Sequence, residues 1–324
     1  MAGLIPKLKD ALIEQNCLPN TVATYCFWVR KLYGYCKLPA SQWDGDLVRR
    51  WMLQLHTDNY SAKSRKQALC AVVFTFKHVL KLELGHLDLP PFPTERHTLR
   101  IIPSREEIGR IFAGLRGQAK LMAALMYGSG LRVSEVCHLR VQDIDFAALT
   151  VRVHGGKGDK CRLTLLPVLL VPALTRHIAW RKSVHELDLA NGCGLVELPG
   201  RLAVKYKGAP RELRWQFLFP STIQRGQYRW HATDESVGKQ MRAAVKAAGI
   251  TKRVTPHTLR HAFVTHALQN GNDIATVKDL VGHEDVNTTM IYAHGDAARG
   301  VSPLDGVARP APLSAFNYQL SAAS

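Results

Sequence analysis

The sequence has no long hydrophobic run and no cysteine pair at metal-ligand spacing. Its longest apolar run, residues 165–174, is only ten residues long and is interrupted by Pro167 and Pro172, whereas a membrane helix needs about 20 apolar residues. The N-terminal residues alternate charged and apolar side chains, which is not the pattern of a signal peptide. We therefore predict a cytoplasmic protein with no membrane partner.

Cysteine chemistry and the common cofactor motifs are missing as well. Seven cysteines, an odd number without a CxxC pair, argue against a disulfide framework and predict free, mostly buried thiols. The run Gly155-Gly156-Lys157 continues with glycine instead of Ser or Thr, so it is not a nucleotide-binding P-loop. His257 and His261 lack the glutamate that a zinc protease places between them. We predict no metal and no other cofactor.

Acidic residues are too few to balance the basic ones. The 324 residues include 43 Lys and Arg against 26 Asp and Glu, a formal net charge of +17, while the hydrophobic fraction of 46% is ordinary for a globular protein. This length predicts about two domains. The excess charge favours a polyanionic partner, because neutralising phosphates releases condensed counterions. We expect that partner to be DNA.

Residues 1–88 are predicted to form a small helical domain. Apolar residues recur at helical spacing after Asn20 and after Ser61, two candidate N-caps, and shorter helices are predicted near residues 4–15 and 46–56. At 100° per residue, four lysines flank the buried face of the last helix. They are Lys63, Lys66, Lys77 and Lys81. A solvated face is the alternative, but the net charge favours contact with a phosphate backbone.

A proline-rich linker is predicted at 89–102, followed by a second domain at 103–302 and a tail at 303–324. Ser104 opens a helix in that domain, and a further helix spans about 118–127 until glycines at 128 and 130 break it. Alternating residues at 149–153 and 161–165 predict a β-hairpin. Helices return after Thr255 and stop at Gly271 and Gly282. The predicted fold is mainly α with a small β-hairpin or sheet.

Five short blocks in this second domain resemble the motifs of the tyrosine recombinases, in the same order. The blocks are GSGLRVSE at 128–135, GGKGDK at 155–160, PHTLRH at 256–261, LVGH at 280–283 and TTMIYAH at 288–294. The resemblance implies a helical, SAM-like core-binding domain and an α/β catalytic domain that together form a C-shaped clamp around DNA. It also implies a tetramer on paired sites, a Holliday-junction intermediate and an association with the nucleoid.

Six residues in these blocks are candidates for catalysis. They are Arg132, Lys157, His257, Arg260, His283 and Tyr292. Cleavage of a phosphodiester without metal needs other groups to stabilise the developing charge, and two guanidiniums can each donate a planar fork to the phosphate oxygens. Arg132 and Arg260 are the candidates for that clamp.

The resemblance implies the roles of the remaining residues. Tyr292 is the nucleophile, which stores the cleaved bond as a phosphotyrosine ester so that ATP is not needed for resealing. By similarity, His257 assists proton transfer, His283 hydrogen-bonds the phosphate and Lys157 protonates the departing 5′-oxygen. A non-catalytic DNA-binding protein remains an alternative, although phosphate affinity alone needs no tyrosine.

An added segment at about 187–232 lengthens the spacing between Lys157 and His257. It carries the short blocks DLA at 188–190, WQF at 215–217, FPS at 219–221 and RWH at 229–231, which resemble those of the integron integrases. In that subfamily the segment holds bases that stand out of a folded single-stranded cassette site. Five residues of this chain suit such contacts by stacking or by phosphate binding. They are Arg225, Tyr228, Arg229, Trp230 and His231. The alternatives are that these aromatic residues are only core anchors, and that the protein is a Xer-like or phage-like recombinase on duplex sites.

Overall fold

Two compact units make up the chain, Met1–Leu99 and Arg100–Ser324. The structure, a computed structural model, describes residues 3–93, 102–154, 161–198 and 202–282. Leu89 and Phe92 pack against the core of the first unit, and the Arg65 guanidinium lies 5.6 Å from the Phe92 ring centre. The first part of the stretch proposed as a linker therefore belongs to that unit.

The first unit is helical, as predicted. Its helices are α1 (Leu4–Glu14), α2 (Pro19–Cys36), α3 (Gly45–Thr57) and α4 (Ala62–Phe74). Ser61 accepts a hydrogen bond from the Ser64 N–H and caps α4, as predicted. The predicted Asn20 cap is wrong, because α2 already begins at Pro19 with Leu18 as its N-cap. Proline suits that first position since it lacks the N–H that would be unpaired there.

Aromatic and aliphatic side chains from all four helices form the core of this unit. Trp28 and Trp51 meet edge to face, with ring centres 6.4 Å apart, and both are buried. Phe76, in the turn that follows Phe74, is buried in the same apolar cluster. A single apolar cluster thus holds the four helices together.

The last turn of the fourth helix is π-helical over Thr75–Leu80 and ends at Lys81, which has a φ of 56°. A wider turn changes the angle between successive side chains, so the 100° spacing on which the lysine prediction rested does not apply over Thr75–Leu80. All four lysines are nevertheless exposed. Val73, an apolar residue on the same helix, is exposed too.

The second unit begins with three helices, α5 (Arg105–Gly114), α6 (Gly117–Ser129) and α7 (Val133–His138). Ser104 and Glu107 form the expected capping box at the start of α5. α6 runs two residues beyond its predicted end and stops at Gly130, whose φ is +65°. A Cβ at this glycine would lie 2.6 Å from Phe263 Cδ1, so both the turn and the close packing require glycine.

The predicted hairpin is part of a three-stranded antiparallel sheet in the order β1 (Ile144–Asp145), β2 (Thr150–Val153) and β3 (Arg162–Leu165). Val151 pairs with Thr164, and Val153 pairs with Arg162. The buried face of β3 therefore carries Thr164, while Leu163 is exposed. Thr164 is tolerated there because its hydroxyl donates to Ser129 O at 2.7 Å.

The added segment has defined structure. The long helix α8 (Val171–Ala190) leads to the short helix α9 (Leu202–Lys205) and to a hairpin of β4 (Pro220–Arg225) and β5 (Tyr228–His231). This hairpin was not predicted from the sequence. Phe217 and Phe219, just before it, are buried.

Three helices close the described part of the unit, α10 (Asp234–Ala247), α11 (Pro256–Gln269) and α12 (Ile274–Val281). Thr255 caps α11, and Gly271 and Gly282 have positive φ after the two last helices, as predicted. α11 packs on α6, where Tyr127 Oη lies 2.9 Å from His266 Nδ1 in the core. Burial raises the pKa of Tyr127 to about 12 and lowers the pKa of His266 to about 4, so both are neutral.

The fold is mainly α with small antiparallel sheets, as predicted. The seven cysteines are free, but only Cys26 and Cys137 are buried, so the prediction of mostly buried thiols is wrong. Cys70 and Cys161 are exposed. Among the described helices, none combines the length and the apolar character that crossing a membrane requires.

Candidate functional site

One carboxylate gathers three arginines at the start of α7. Arg132, the N-cap of this helix, donates from its backbone N–H to Glu135 Oε2 at 2.8 Å and from its side chain to Glu135 Oε1 at 2.6 Å. Arg162, on β3, makes a bidentate pair with the same carboxylate at 2.8 and 2.7 Å. Arg260, on α11, lies 3.7 Å from Glu135 Oε2. We call these four residues the Glu135 cluster.

The charges in this cluster do not cancel, because three guanidiniums surround one carboxylate. Burial raises the pKa of Glu135, but the hydrogen bonds and charge of Arg162, the Arg132 N–H and the charge of Arg260 outweigh it and bring that pKa to about 2. Burial, together with the charge of Arg132, lowers the pKa of Arg260 to about 9. Glu135 and Arg260 are therefore ionised at neutral pH. Because three guanidiniums surround one carboxylate, the cluster has an excess of two positive charges.

Two of these arginines also hold the end of α12, directly before His283. Arg162 Nε donates to Leu280 O at 3.0 Å, and Arg260 donates to Val281 O and, at 2.6 Å, to Gly130 O. Cations are favourable at a helix C-terminus, where the last carbonyls have no partner in the helix. The Glu135 cluster therefore connects α7, β3, α11 and the end of α12.

Exposure separates the two arginines that were predicted to bind phosphate. The Arg132 side chain is 36% exposed, and only one terminal nitrogen of its guanidinium bonds to a described residue. The Arg260 side chain is 5% exposed and two of its nitrogens bind carbonyls. Arg132 can thus offer its remaining N–H groups to an anion at the surface, while Arg260 supplies a fixed positive charge beneath it.

The other predicted catalytic residues are only partly covered by the structure. His257 is exposed on the first turn of α11, three residues before Arg260. Lys157, His283 and Tyr292 lie outside the described residues. In the described ranges, no three or more His, Cys, Asp or Glu side chains come together as a metal site.

A row of buried polar residues along α8 holds the added segment. This row, the α8 stripe, consists of His177, Arg181, His185 and Asp188. His177 donates to Leu218 O at 2.8 Å, Arg181 to Phe217 O at 3.1 Å and His185 to Arg211 O at 2.8 Å.

Asp188 binds the hairpin itself. It accepts from Gln224 Nε2 at 2.7 Å and forms a bidentate pair with Arg229, whose Nε lies 2.8 Å from Asp188 Oδ2. Both side chains of this ion pair are almost fully buried. The α8 stripe therefore fixes where the hairpin stands.

Aromatic rings lie together where the hairpin meets the end of α7. The His231 ring centre is 4.0 Å from that of His138, 5.1 Å from Phe217 and 5.2 Å from Trp230. Phe217 is buried beneath the other three, and the Arg225 guanidinium lies 5.9 Å from the Trp230 ring centre. Burial lowers the pKa of His231, and the neighbouring His138 lowers it further, so the ring is neutral at neutral pH. We call His138, Phe217, Trp230 and His231 the ring cluster.

The five residues predicted to bind DNA in the added segment differ in their surroundings. Arg225 and Tyr228 are exposed, and Trp230 and His231 are half-buried in the ring cluster. The Arg229 guanidinium is instead bound by Asp188 and by Ser221 O at 3.2 Å. Its observed contacts hold the hairpin together and do not leave it open to a phosphate.

Three residues of these clusters were not predicted from the sequence, namely Glu135, Arg162 and His138. Glu135 stands three residues after Arg132, the spacing at which a glutamate binds the N-cap backbone, so that signal was present. Arg162 carried no such signal, because the alternation of apolar residues at 161, 163 and 165 places it on the opposite face of the strand. Nothing local marks His138, because its neighbours in the ring cluster come from residues 217–231.

Residues 104–299 match the phage integrase family, and residues 4–86 match the N-terminal SAM-like domain of phage integrases. Over 315 residues the chain is 36% identical to proteins named integrase/recombinase from Escherichia coli and Pseudomonas aeruginosa, with 94% of each chain covered. It is also 30% identical over 278 residues to the tyrosine recombinase XerA of Thermococcus onnurineus, which covers 85% of this chain and 84% of the relative.

Solved structures share the fold at low sequence identity. The Tn1549 transposon integrase in complex with transposon right end DNA has a TM-score of 0.62 at 17% identity, covering 89% of this chain and 95% of that one. XerH recombinase bound to a palindromic difH substrate has a TM-score of 0.61 at 19% identity, covering 86% of this chain and 77% of that one.

Proposed function

We propose a specific role for this chain, which belongs to the tyrosine recombinase family: it is an integron integrase that excises and inserts gene cassettes. As a tyrosine recombinase it is a site-specific DNA recombinase. The finer assignment rests on one observation, which is the added segment with the ring cluster at its base. In this role the enzyme grips folded single-stranded cassette sites as well as duplex DNA.

In the proposed reaction Tyr292 attacks a DNA phosphate and forms a 3′-phosphotyrosine bond, while a 5′-oxygen leaves. The net positive Glu135 cluster stabilises the charge that develops on the phosphate, through Arg132 at the surface and Arg260 beneath it. His257 assists the proton transfer from the tyrosine. His283 hydrogen-bonds the phosphate, and Lys157 protonates the leaving oxygen. A free 5′-hydroxyl reverses the step, so no ATP is required.

The ring cluster suits an unpaired base better than a duplex. Trp230 and His231 present half-buried ring surfaces, and stacking of a base on an aromatic side chain contributes about 1–3 kcal/mol. His138 extends this surface from the end of α7, the helix that begins at Arg132. The exposed Arg225 and Tyr228 supply a cation and a further ring for the adjoining backbone and base. The proposed base site and the proposed phosphate site thus both include residues of α7.

The first unit contributes to affinity in this proposal. Lys63, Lys66, Lys77 and Lys81 are exposed and contact the phosphate backbone, which makes binding depend on salt. Four protomers assemble on two paired sites.

A covalent-trapping experiment tests the function. The protein is incubated with a nicked hairpin that carries unpaired bases and with the matching duplex, and covalent adducts are resolved on a denaturing gel. We expect an adduct on the hairpin that is lost in Tyr292→Phe, while the variant still binds DNA. Adducts that persist in Tyr292→Phe would refute the nucleophile.

A second variant tests the base contacts. Replacing Trp230 and His231 with alanine removes two stacking surfaces and should weaken hairpin binding at least about tenfold, with little change for duplex. Ile223→Ala is the matched control, because Ile223 is a highly exposed residue on the same hairpin and outside the ring cluster. Equal losses on hairpin and duplex would contradict a role in base recognition.

A Xer-like recombinase that acts only on duplex sites is the second candidate, favoured by the similarity to XerA. Adducts on the duplex and none on the hairpin would support it. DNA binding without any adduct on either substrate would instead indicate a non-catalytic DNA-binding protein.

A further inference from the structure

The sheet register places a histidine opposite an exposed cysteine. Val153 at the end of β2 pairs with Arg162 at the start of β3, so the next position pairs His154 with Cys161. Directly opposite residues in an antiparallel pair have Cβ atoms about 4.5–5.5 Å apart. Their side chains meet, with Cys161 Sγ 3.6 Å from His154 Nδ1.

A buried carboxylate orients the other side of that imidazole. His154 Nε2 lies 2.7 Å from Asp143 Oδ1, and the Asp143 side chain is only 1% exposed. The Arg140 N–H donates to Asp143 Oδ2 at 2.8 Å and holds the carboxylate in place. The order thiol, imidazole, carboxylate is that of an activated nucleophile, in which the carboxylate fixes the tautomer.

The hydrogen bonds determine which nitrogen faces the thiol. With Nε2–H donating to the Asp143 carboxylate, Nδ1 carries the lone pair and faces Cys161 Sγ. Nδ1 can therefore accept the thiol proton, and the thiolate is the nucleophilic form of cysteine. Cys161 is exposed, so a small electrophile can reach the sulfur.

We propose that Cys161, His154 and Asp143 form a thiol modification site that reacts with low-molecular-weight disulfides. His154 Nδ1 takes the proton of Cys161, and the thiolate attacks one sulfur of the disulfide. A new bond forms from Cys161 Sγ to that sulfur, the original S–S bond breaks, and the departing half takes the proton from His154 and leaves as a thiol. Cys161 is thereby oxidised to a mixed disulfide and the departing half is reduced.

The expected consequence concerns cleavage and rests on the proposed function. His154 and Cys161 flank residues 155–160, which include Lys157, the proposed general acid. A mixed disulfide adds bulk directly beside this segment. We therefore expect the modified protein to form covalent DNA adducts more slowly.

The reaction is measured on the full chain with 2-hydroxyethyl disulfide, a small neutral probe, followed by mass spectrometry of cysteine peptides. Cys70 is the internal control, since it is also exposed and makes no hydrogen bond to a histidine among the described residues. General-base assistance should make Cys161 react at least about tenfold faster than Cys70. In His154→Gln, which keeps a donor toward Asp143 but has no base, the two rates should become similar.

Two results would overturn the proposal. One is a Cys161 rate no higher than that of Cys70 in the unchanged protein, a comparison that needs no variant to fold. The other is an equally fast Cys161 in a His154→Gln protein whose circular dichroism matches the unchanged protein.

The consequence for cleavage is tested with the trapping assay before and after disulfide treatment. Adduct formation should fall on treatment, recover with dithiothreitol and be insensitive in Cys161→Ser. A treated Cys161→Ser protein that loses adducts would assign the effect to another cysteine and overturn the consequence. Failure of the untreated protein to form adducts would count against the proposed function alone, because peptide mass measures the thiol reaction independently.

Discussion

The Glu135 cluster and the α8 stripe are both buried polar networks with arginines, yet they differ in what remains for a ligand. In the Glu135 cluster three guanidiniums share one carboxylate and the Arg132 side chain is 36% exposed. In the α8 stripe Asp188 pairs with Arg229, and Arg181 and the histidines bind backbone carbonyls of the added segment.

This difference separates a candidate binding site from a scaffold. Excess charge that reaches the surface attracts an anion, whereas charge that is paired inside the fold positions a neighbouring element. Arg229 illustrates the point, because the sequence alone placed it among the DNA contacts and its partner Asp188 is 41 residues away. A basic residue is a candidate for phosphate only where its N–H groups are not already bound.

Removing the carboxylate of the Glu135 cluster should have the largest effect on stability. Glu135→Ala leaves three neighbouring guanidiniums without their counter-charge, and loss of one partner of a buried pair costs about 3–5 kcal/mol. Urea unfolding measures the change. Glu135→Gln also removes the charge but keeps the size and one acceptor, so it should lose somewhat less. A Glu135→Gln protein as stable as the unchanged protein would contradict the electrostatic explanation.

Replacing Asp188 in the α8 stripe should disturb the hairpin of β4 and β5 and leave the Glu135 cluster intact. Asp188→Ala leaves Arg229 buried and unpaired, at a cost of about 3 kcal/mol in the free energy of unfolding. The combined replacement Asp188→Leu and Arg229→Met should recover only part of this stability, because Arg229 is no longer left unpaired but the buried Arg181 still loses the nearby charge of Asp188. Binding to hairpin DNA should fall in Asp188→Ala while duplex cleavage persists; loss of duplex cleavage would mean that the stripe also supports the phosphate site.

Acid should weaken the Glu135 cluster in a defined pH range. The pKa of Glu135 is lowered to about 2 in the folded chain, so its contribution is complete above its ordinary value of 4.5 and is lost as the pH falls toward 2. At 1.36 kcal/mol per pKa unit the full contribution is about 3 kcal/mol. Urea unfolding between pH 7 and pH 3 should show a steeper loss for the unchanged protein than for Glu135→Gln, and parallel curves would contradict the assignment.

Arg132 should matter least for stability. Its side chain is partly exposed and the Arg132 backbone N–H bond to Glu135 survives replacement, so Arg132→Ala should change the free energy of unfolding by less than about 1 kcal/mol. Loss of one charge-stabilising donor should nevertheless slow adduct formation by about 10²–10³-fold. Trapping kinetics and urea unfolding on the same variant test both parts, and a large stability loss with unchanged trapping would reverse the roles given to the two arginines.

Local signals in the sequence were sufficient for much of the fold. Ser61, Ser104 and Thr255 were correctly identified as caps because capping depends on residues within one turn. Gly271 and Gly282 were correctly identified as helix stops for the same reason. The π-helical turn at 75–80 was not predictable from a pattern that assumes 100° per residue. The buried face of β3 was not predictable either, because Thr164 is buried there only with a hydrogen bond to Ser129 of α6.

The candidate site was predictable only where a motif names its residues. The order of Arg132, His257 and Arg260 was enough to indicate phosphate chemistry, because guanidinium and imidazole groups act through properties that belong to the residue itself. Three features of the site depend on contacts between residues that are tens of positions apart in the sequence. They are the exposure of Arg132, the pairing of Asp188 with Arg229, and the contact of His138 with the rings of Trp230 and His231. Burial and pairing are properties of the folded chain, and they determine whether a charge is open to a ligand or already neutralised.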